Sequence, residues 1–319
     1  MIYGLMSGVL WGLDTVLLGI ALAMTPFVST EQAIFLAPFV STFLHDFFSA
    51  IWMLIYTAFK KELGKTFRAA RTRSGRFIML GALLGGPVGM TGYLLSIKYI
   101  GPAYTAIISS LYPAIGALLS YIFLKEKMKP ISIMGLFMSI FGIIILGYAP
   151  GGAVANLGLG FIFAVLCVVG WASEAVICAY GMKEDEITPE QSLQVRQLTS
   201  AITYGFLIIP IVKGISFTMG VLPTTATAMI LLTALAGTTS YVFYYKGIHK
   251  IGATKAMSLN ITYSAWSIIF GVILLGNSVD LKSVICCIMI MIGSTMAAGD
   301  ISEITSIFGR KKNIEKTPN

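Results

Sequence analysis

The sequence predicts an all-α integral membrane protein with ten transmembrane helices, arranged as two inverted five-helix repeats. Three observations predict this fold: an apolar composition, ten apolar runs of spanning length, and an internal repeat with five runs in each half. Of the 319 residues, 56% are hydrophobic and only 11% are charged, and the mean hydropathy is +0.85. Soluble domains carry about 25% charged residues. So much apolar surface therefore requires a lipid bilayer.

The apolar runs are separated by short connections, and each has about the 20 residues that a helix needs to cross a bilayer. The ten runs cover residues 2–24, 32–59, 77–97, 100–124, 130–148, 157–181, 190–213, 224–247, 252–275 and 281–300. No basic residue precedes the first run. We therefore expect no cleavable signal peptide.

The basic residues are distributed unequally between alternate connections. With a cytoplasmic N-terminus, eighteen of the 22 lysine and arginine residues lie in cytoplasmic connections or in the C-terminal tail. The positive-inside rule then predicts a multi-pass protein of the plasma (inner) membrane with both termini in the cytoplasm. The net charge of +8 is thus a topology signal, and we expect no nucleic-acid partner.

The chain also repeats itself. At an offset of 160 residues, Trp11 and Asp14 align with Trp171 and Glu174. At an offset of 151 residues, four further pairs align: His45 with Arg196, Gly86 with Gly237, Tyr112 with Tyr263 and Gly142 with Gly293. Agreement at one offset along several runs indicates an internal duplication.

Five runs in each half is an odd number, so the two halves insert with opposite orientation. We expect a first repeat over residues 1–150, a second over residues 151–302, and a basic cytoplasmic tail without fixed structure over residues 303–319. Inverted repeats around a central site are a common transporter design, because rocking one half against the other gives alternating access.

Three acidic residues, Asp14, Asp46 and Glu174, lie near the middle of apolar runs. An ionisable residue at this depth costs at least about 2.5–3.5 kcal/mol, so it is expected to face a cavity or a partner. The alternative is an acid that is hydrogen-bonded for packing alone. Asp14 and Glu174 each follow a tryptophan, Trp11 or Trp171, by three residues, which places the two side chains on one helical face.

Aromatic residues near these acids predict a binding site for a small organic cation. Tyr112 and Tyr263 are related by the repeat, and Tyr241 lies in the eighth run. Each aromatic face attracts a quaternary ammonium group by about 0.5–2 kcal/mol. The alternative role is an anchor at the membrane interface, but that role suits run ends better than the mid-run Trp11 and Trp171.

A second polar group consists of His45, Asp46 and Arg196. A basic side chain deep in the membrane requires an acid, so we expect Arg196 to pair with Asp46 or Glu174. A structural ion pair and a coupling element both remain open. The glycines and proline of residues 85–89 weaken a helix, and in a transporter such a segment lines the cavity or acts as a hinge.

Enzyme motifs are absent from the sequence, which has no His-Glu-x-x-His, no nucleophile elbow and no Cys-x-x-Cys. The only histidines are His45 and His249, so a histidine metal site is not expected. We therefore expect neither an enzyme nor a cofactor, and an intramembrane enzyme or receptor-like sensor is strongly disfavoured.

Several motifs resemble those of a known transporter family. Segments similar to the EamA branch of the drug/metabolite transporter superfamily are Tyr112-Pro113-Ala114, Phe123-Leu124-Lys125-Glu126-Lys127, Gly135 and Gly142. Segments similar to the Lic-type choline permeases of that superfamily are His45-Asp46-Phe47, Gly86-Pro87-Val88-Gly89-Met90, Lys98-Tyr99-Ile100-Gly101, Trp171-x-Ser-Glu174, Arg196-Gln197-x-Thr199-Ser200 and Asn260-x-x-Tyr263-x-x-Trp266. The resemblance extends over the chain up to about residue 303.

This resemblance implies a secondary active transporter that imports choline, coupled to protons, with membrane lipid as its surroundings and one chain sufficient for transport. It implies an aromatic cage of Trp11, Tyr112, Trp171 and Tyr263, with Glu174 as the carboxylate. Asp14 departs from the family pattern, in which a small uncharged residue is expected, so it would change the substrate range or the coupling. The alternative function is export of amino acids, metabolites or drugs.

Proton coupling requires groups that titrate. Glu174 alone would exchange protons for the cation, whereas symport requires a second titrating group, for which Asp14, Asp46 and His45 are available. An inside-negative potential already favours entry of a cation by about 2.3 kcal/mol per 100 mV.

The predicted topology can be tested by labelling single cysteines introduced into a chain without its four native ones. A membrane-impermeant reagent applied outside should modify a cysteine within residues 26–30 and should not modify one within residues 65–73, because the basic connection is cytoplasmic. The reverse labelling pattern would contradict both the topology and the direction of import.

Overall fold

The structure of the chain, a computed structural model, describes residues 1–148, 155–183 and 186–299. The tail predicted over residues 303–319 and the predicted boundary between residues 150 and 151 lie outside these ranges. Within them every regular element is helical, which confirms the all-α prediction for this part of the chain.

The helices follow one another with short connections. In chain order they are α1 (Ile2–Leu22), α2 (Glu31–Phe59), α3 (Leu63–Ala70), α4 (Arg73–Gly101), α5 (Tyr104–Leu124), α6 (Pro130–Gly147), α7 (Leu157–Gly181), α8 (Pro189–Thr203, continued by Tyr204–Ile208 and Ile209–Ile211), α9 (Ile215–Val221), α10 (Thr225–Ile251), α11 (Ala253–Leu275) and α12 (Leu281–Ala298). In the described ranges, nine of these helices, all but α3, α8 and α9, are long and apolar enough to cross a membrane.

Helix α8 occupies the seventh predicted run, but its first half is polar. It begins with a capping box, in which the Thr188 hydroxyl accepts the Gln191 N–H and the Gln191 side chain accepts the Thr188 N–H. Arg196 and Gln197 follow, and both are buried. Helices α2, α4 and α10 pack around this segment, so its polar side chains face protein and not lipid.

Small residues allow the long helices to approach one another closely. Helix α6 packs on α12, where a Cβ atom at Gly293 would lie 2.6 Å from the carbonyl oxygen of Gly135. Beside it, the Ser139 hydroxyl lies 3.1 Å from the Ser294 hydroxyl. Helix α1 packs on α10 and α11, α4 packs on α7, and α2 packs on α8. The bundle is therefore built from contacts between elements far apart in the sequence.

Helix α4 contains a widened π-helical turn at Leu84–Met90, within which the sequence predicts a weakened helix. Pro87 cannot donate a backbone hydrogen bond there, yet the chain stays helical on both sides. A methyl group at Gly85 would overlap the Glu174 carboxylate, and one at Gly89 would lie 2.9 Å from Cδ1 of Trp171. The glycines of this turn therefore let α7 place these two side chains close to α4.

Candidate functional site

A cavity of about 70 Å³ lies among helices α1, α4, α5, α7, α10 and α11. Its lining residues are Trp11, Met90, Tyr112, Trp171, Glu174, Ala175, Ser240, Tyr241, Tyr244, Asn260 and Tyr263. The volume is several times the roughly 10–15 Å³ that admits one water molecule. Six of the seven residues predicted to bind substrate line this cavity, and Asp14 is the one that does not.

Two indoles contribute to the cavity wall, and tyrosine rings hold each of them. The edge of one ring meets the face of the other for Trp11 and Tyr241, with centroids 4.9 Å apart at 86°. Trp171 meets Tyr112 at 5.8 Å and 88°, and it packs against Tyr93 at 5.4 Å. Edge-to-face pairs are a favoured aromatic geometry and hold both rings in fixed orientations. Contacts within the protein therefore set the orientation of the aromatic wall.

A chain of hydrogen bonds positions the phenol of Tyr112. Its hydroxyl donates to Oδ1 of Asn260 at 3.1 Å, and Nδ2 of Asn260 donates to the Ser7 hydroxyl at 3.0 Å. The Ser240 hydroxyl donates to the Ser7 carbonyl at 2.7 Å. These bonds join α1, α5, α10 and α11 at the cavity.

Four other lining residues have functional side chains but were not predicted to bind substrate: Met90, Ser240, Tyr244 and Asn260. Asn260 precedes Tyr263 by three residues, a spacing that could have placed it on the same helical face. Ser240 carries no such signal, because a serine in an apolar helix most often bonds to its own backbone.

Arg196 is the one lysine or arginine that the sequence places near the middle of an apolar run, and the residue is 2% exposed in the structure. Its Nε donates to Oε1 of Glu174 at 2.8 Å, and its Nη1 lies 3.3 Å from Oδ1 of Asp46. Its Nη2 donates to the Tyr241 hydroxyl at 3.2 Å, and Nη1 also donates to Oε1 of Gln197 at 2.8 Å. The structure thus brings both of the acids considered as partners to this one guanidinium.

Glu174 connects this ion pair to the cavity. Oε1 accepts from Arg196 and also from the Tyr245 hydroxyl, which lies 3.3 Å away, while Oε2 faces Gly85. The residue lines the cavity and is 8% exposed. Its carboxylate can therefore act on a bound molecule while one oxygen stays anchored to the protein.

Asp14, His45 and Asp46 form a second buried cluster. Nε2 of His45 lies 2.8 Å from Oδ1 of Asp14, and Nδ1 lies 3.8 Å from Oδ1 of Asp46. Oδ2 of Asp46 accepts from the Ser200 hydroxyl at 2.5 Å. Although Asp14 shares a helical face with Trp11, a buried carboxylate needs a donor, and His45 supplies it away from the cavity wall.

The charges of these two clusters add to a negative value. With Asp14, Asp46 and Glu174 ionised and Arg196 positive, the formal charge is −2 if His45 is neutral and −1 if it is protonated. A negative group beside an aromatic cavity favours a cation. Among the described residues, no three His, Cys, Asp or Glu side chains are grouped to hold a metal ion.

Comparison with known proteins identifies relatives over most of the chain. The profile of the EamA-like transporter family matches residues 1–148 and 158–299. The chain is 34% identical to Protein LicB of Haemophilus influenzae over 275 residues, which covers 86% of this chain and 88% of that protein. It is 24% identical over 261 residues to the uncharacterized transporter YyaM of Bacillus subtilis, with 79% of this chain and 82% of that protein covered.

A solved crystal structure has the same fold, with a TM-score of 0.72 at 18% identity and 98% of each chain covered. An uncharacterized transporter of Clostridium kluyveri is 22% identical over 223 residues, covering 68% of this chain and 70% of that protein.

The buried ion-pair network predicts a large stability cost when its only guanidinium is removed. We expect Arg196→Gln to lower the free energy of unfolding by about 3–5 kcal/mol, because Asp46 and Glu174 then lose the positive charge that compensates them. Thermal unfolding in detergent micelles would measure the loss as a lower Tm.

The matched control is Lys246→Gln, which breaks the partly exposed ion pair between Lys246 and Glu190, 3.0 Å apart, on the neighbouring helices α10 and α8. Exposed pairs contribute about 0–1 kcal/mol, so this variant should unfold close to the wild type. An Arg196→Gln protein as stable as this control would contradict the role of Arg196.

Proposed function

The chain belongs to the EamA-like transporter family, and we propose that it carries a small quaternary ammonium or amine, choline above all, across the membrane. The observation that carries this proposal is the cavity in which Trp11, Trp171 and the Glu174 carboxylate meet. The sequence supports the same proposal, because the chain is 34% identical to Protein LicB and contains the motifs that resemble Lic-type permeases.

The cavity supplies the two interactions that a quaternary ammonium group can make. Such a group has no N–H to donate, so it binds through its charge and through contact with aromatic faces. The two indoles and the phenol rings of Tyr112, Tyr241 and Tyr263 provide those faces. Glu174 provides the negative charge, and Arg196 anchors it from the far side.

The polar lining suits the hydroxyl end of choline. Ser240 donates its own proton to the Ser7 carbonyl, so the lone pairs of its hydroxyl remain able to accept a hydrogen bond. Asn260 lies on the same wall and is held between Tyr112 and Ser7. The cavity therefore has an aromatic, negative part and a smaller polar part, as a cationic alcohol requires.

The proposed mechanism is alternating access between two inverted halves of five spans each. Helix α8 is the seventh of the ten proposed spans. The profile matches at 1–148 and 158–299 fall on the two halves, and repeat-related residues meet at the cavity as Trp11 with Trp171 and Tyr112 with Tyr263. Rocking of the halves would expose such a central cavity to each side in turn.

One contact would close the cytoplasmic end between the halves. Both carboxylate oxygens of Glu126, in the connection after α5, accept backbone N–H groups at the start of α11, from Ala253 and Thr254, each at 3.1 Å. Gly252, with φ +90°, precedes this turn, and a Cβ atom there would lie 2.6 Å from Oε1 of Glu126. In a transport cycle this contact would break when the cavity opens inward.

We propose that the protein lies in the plasma membrane with both termini in the cytoplasm. The proposed direction of transport is import into the cytoplasm. An inside-negative potential draws a cation inward by about 2.3 kcal/mol per 100 mV. Protons are the proposed coupling ion.

The alternative, an exporter of amino acids or similar metabolites, fits the cavity less well. A zwitterionic substrate needs a positive partner for its carboxylate, yet none of the described cavity-lining residues is basic. The guanidinium of Arg196 is already shared between Asp46 and Glu174.

Uptake by the protein reconstituted into liposomes tests this function. Labelled choline should accumulate under an inside-negative potential, and unlabelled choline and small amines should compete, whereas neutral amino acids should not. Replacing Trp11 or Trp171 with leucine keeps apolar bulk but removes one aromatic face. The loss of about 1–2 kcal/mol should weaken choline affinity roughly 5- to 30-fold.

The matched control is Trp52→Leu, because Trp52 bonds to the Leu231 carbonyl at 3.2 Å and does not line the cavity. Its choline affinity should equal that of the wild type. Unchanged affinity in both Trp11→Leu and Trp171→Leu would exclude the aromatic cage, and preferential transport of neutral amino acids would support the exporter.

A further inference from the structure

We propose that Asp14 and His45 form the proton-binding site of this transporter, at a place distinct from the cavity that binds the cation. The inference deepens the proposed function and rests on it, because it locates a proton site whose occupancy sets the affinity of the cavity for the cation. The evidence for it is the geometry of two acid–base pairs and the contacts that connect them.

The first pair is buried and isolated from the cavity lining. Asp14 is 3% exposed and His45 is 6% exposed, and the 2.8 Å contact joins Oδ1 of Asp14 to Nε2 of His45. Neither residue lines the cavity. Asp14 is nevertheless only three residues from Trp11, which does, so the pair lies within one helical turn of the cavity wall.

The second pair occupies the corresponding place in the repeat. Asp14 aligns with Glu174 at an offset of 160 residues, and His45 aligns with Arg196 at an offset of 151. Each pair has a carboxylate oxygen 2.8 Å from a side-chain nitrogen. The duplication thus places one acid–base pair in each half.

A glycine lies beside each pair, and these glycines also align at the offset of 151. A Cβ atom at Gly237 would lie 2.6 Å from Nε2 of His45 and 2.7 Å from Oδ1 of Asp14. One at Gly86 would overlap the Ser200 hydroxyl, 3.9 Å from Nη2 of Arg196. The pair of Asp14 and His45 therefore occupies the space left by the missing side chain at Gly237, whereas Ser200 fills the space at Gly86 beside the second pair.

The two pairs differ in the group that carries the positive charge. An arginine stays protonated at every physiological pH, whereas histidine is the side chain that gains or loses its proton near neutrality. Arg196 therefore keeps its positive charge beside Glu174. The pair of Asp14 and His45 can bind and release a proton.

The surroundings of His45 contain few other groups that could titrate in its place. Among the residues that the structure describes, the ionisable groups around this cluster are Asp14 on α1, Asp46 on α2, Arg196 and Tyr204 on α8, and Tyr241 on α10. Phenols are neutral near pH 7 and arginine is charged. Nε2 of His45 faces Asp14, and Nδ1 lies 3.8 Å from Oδ1 of Asp46. The protonated ring would therefore lie between two carboxylates.

Asp46 connects the proton site with the cation site. The same oxygen, Oδ1, lies 3.8 Å from Nδ1 of His45 and 3.3 Å from Nη1 of Arg196. Arg196 in turn contacts Glu174 and Tyr241, both of which line the cavity. A change of charge at His45 therefore reaches the cavity through three consecutive polar contacts.

The sign of this coupling follows from the charges. Protonation of His45 changes the formal charge of the cluster from −2 to −1 and weakens its attraction for a cation in the cavity. By reciprocity, a cation bound in the cavity weakens proton binding at His45 by the same factor. Choline affinity should therefore rise as pH rises through the titration of His45, and choline binding should release protons throughout the range in which the affinity rises.

The experiment measures choline binding to purified protein from pH 5 to pH 11, together with proton release in weakly buffered solution. In the wild type, affinity should rise with pH by roughly 5- to 150-fold, the usual range of coupling between two sites. His45→Gln keeps a donor for Asp14 but cannot titrate, so it should bind choline with a flat pH profile and release no protons.

Two further variants make the result specific. Ser49→Ala is the matched control, one turn from His45 on the same helix and bonded only to the Ala234 carbonyl at 3.5 Å, and it should keep the wild-type profile. Asp14→Asn should move the midpoint of the pH profile, whereas a packing role of Asp14 predicts no such shift. If His45→Gln fails to fold, the shift in Asp14→Asn is the test of the proton site.

The outcomes separate the two proposals. A wild-type pH profile in a folded His45→Gln protein would overturn the proton site while leaving choline transport intact, as would choline binding without pH dependence in the wild type. Absence of choline binding by the wild type at every pH would instead overturn the proposed function on which the inference rests.

Discussion

The buried guanidinium of Arg196 is the constraint on which the rest of this structure depends. It is 2% exposed and contacts carboxylates from two other helices, Asp46 on α2 and Glu174 on α7. A buried charge without a partner is strongly unfavourable, so these three helices must assemble in the one arrangement that joins the three groups. The same requirement turns the polar half of α8 toward the protein and away from lipid.

The binding cavity follows from how that ion pair is placed. Gly85 leaves room for the Glu174 carboxylate beside the widened turn of α4, and the carboxylate keeps one edge on the cavity while Arg196 holds the other. The aromatic rings then surround the only carboxylate among the described lining residues. Fixed charge and fixed ring orientation together give the cavity the geometry that the proposed cationic ligand requires, so that less free energy would be lost to ordering on binding.

Much of this arrangement could be predicted from the sequence, since membrane spans need only local apolar runs and the repeat relates Trp11 to Trp171. Nine of the ten predicted runs are long apolar helices in the described ranges, and the tenth, α8, is helical but polar in its first half. Asp14 could not be placed correctly, because its partner His45 comes from another helix 31 residues away. Ser240 has no local pattern that marks it as part of the cavity.

The central claim is that the cavity recognises positive charge through aromatic faces and Glu174, and not only molecular shape. The most direct test compares choline with 3,3-dimethylbutan-1-ol, its neutral isostere in which carbon replaces nitrogen, as ligands of the purified protein. Loss of cation–π attraction to two or more rings, each contributing about 0.5–2 kcal/mol, predicts binding of the neutral alcohol that is weaker by roughly 10-fold or more. Equal affinity for the two molecules would contradict the account.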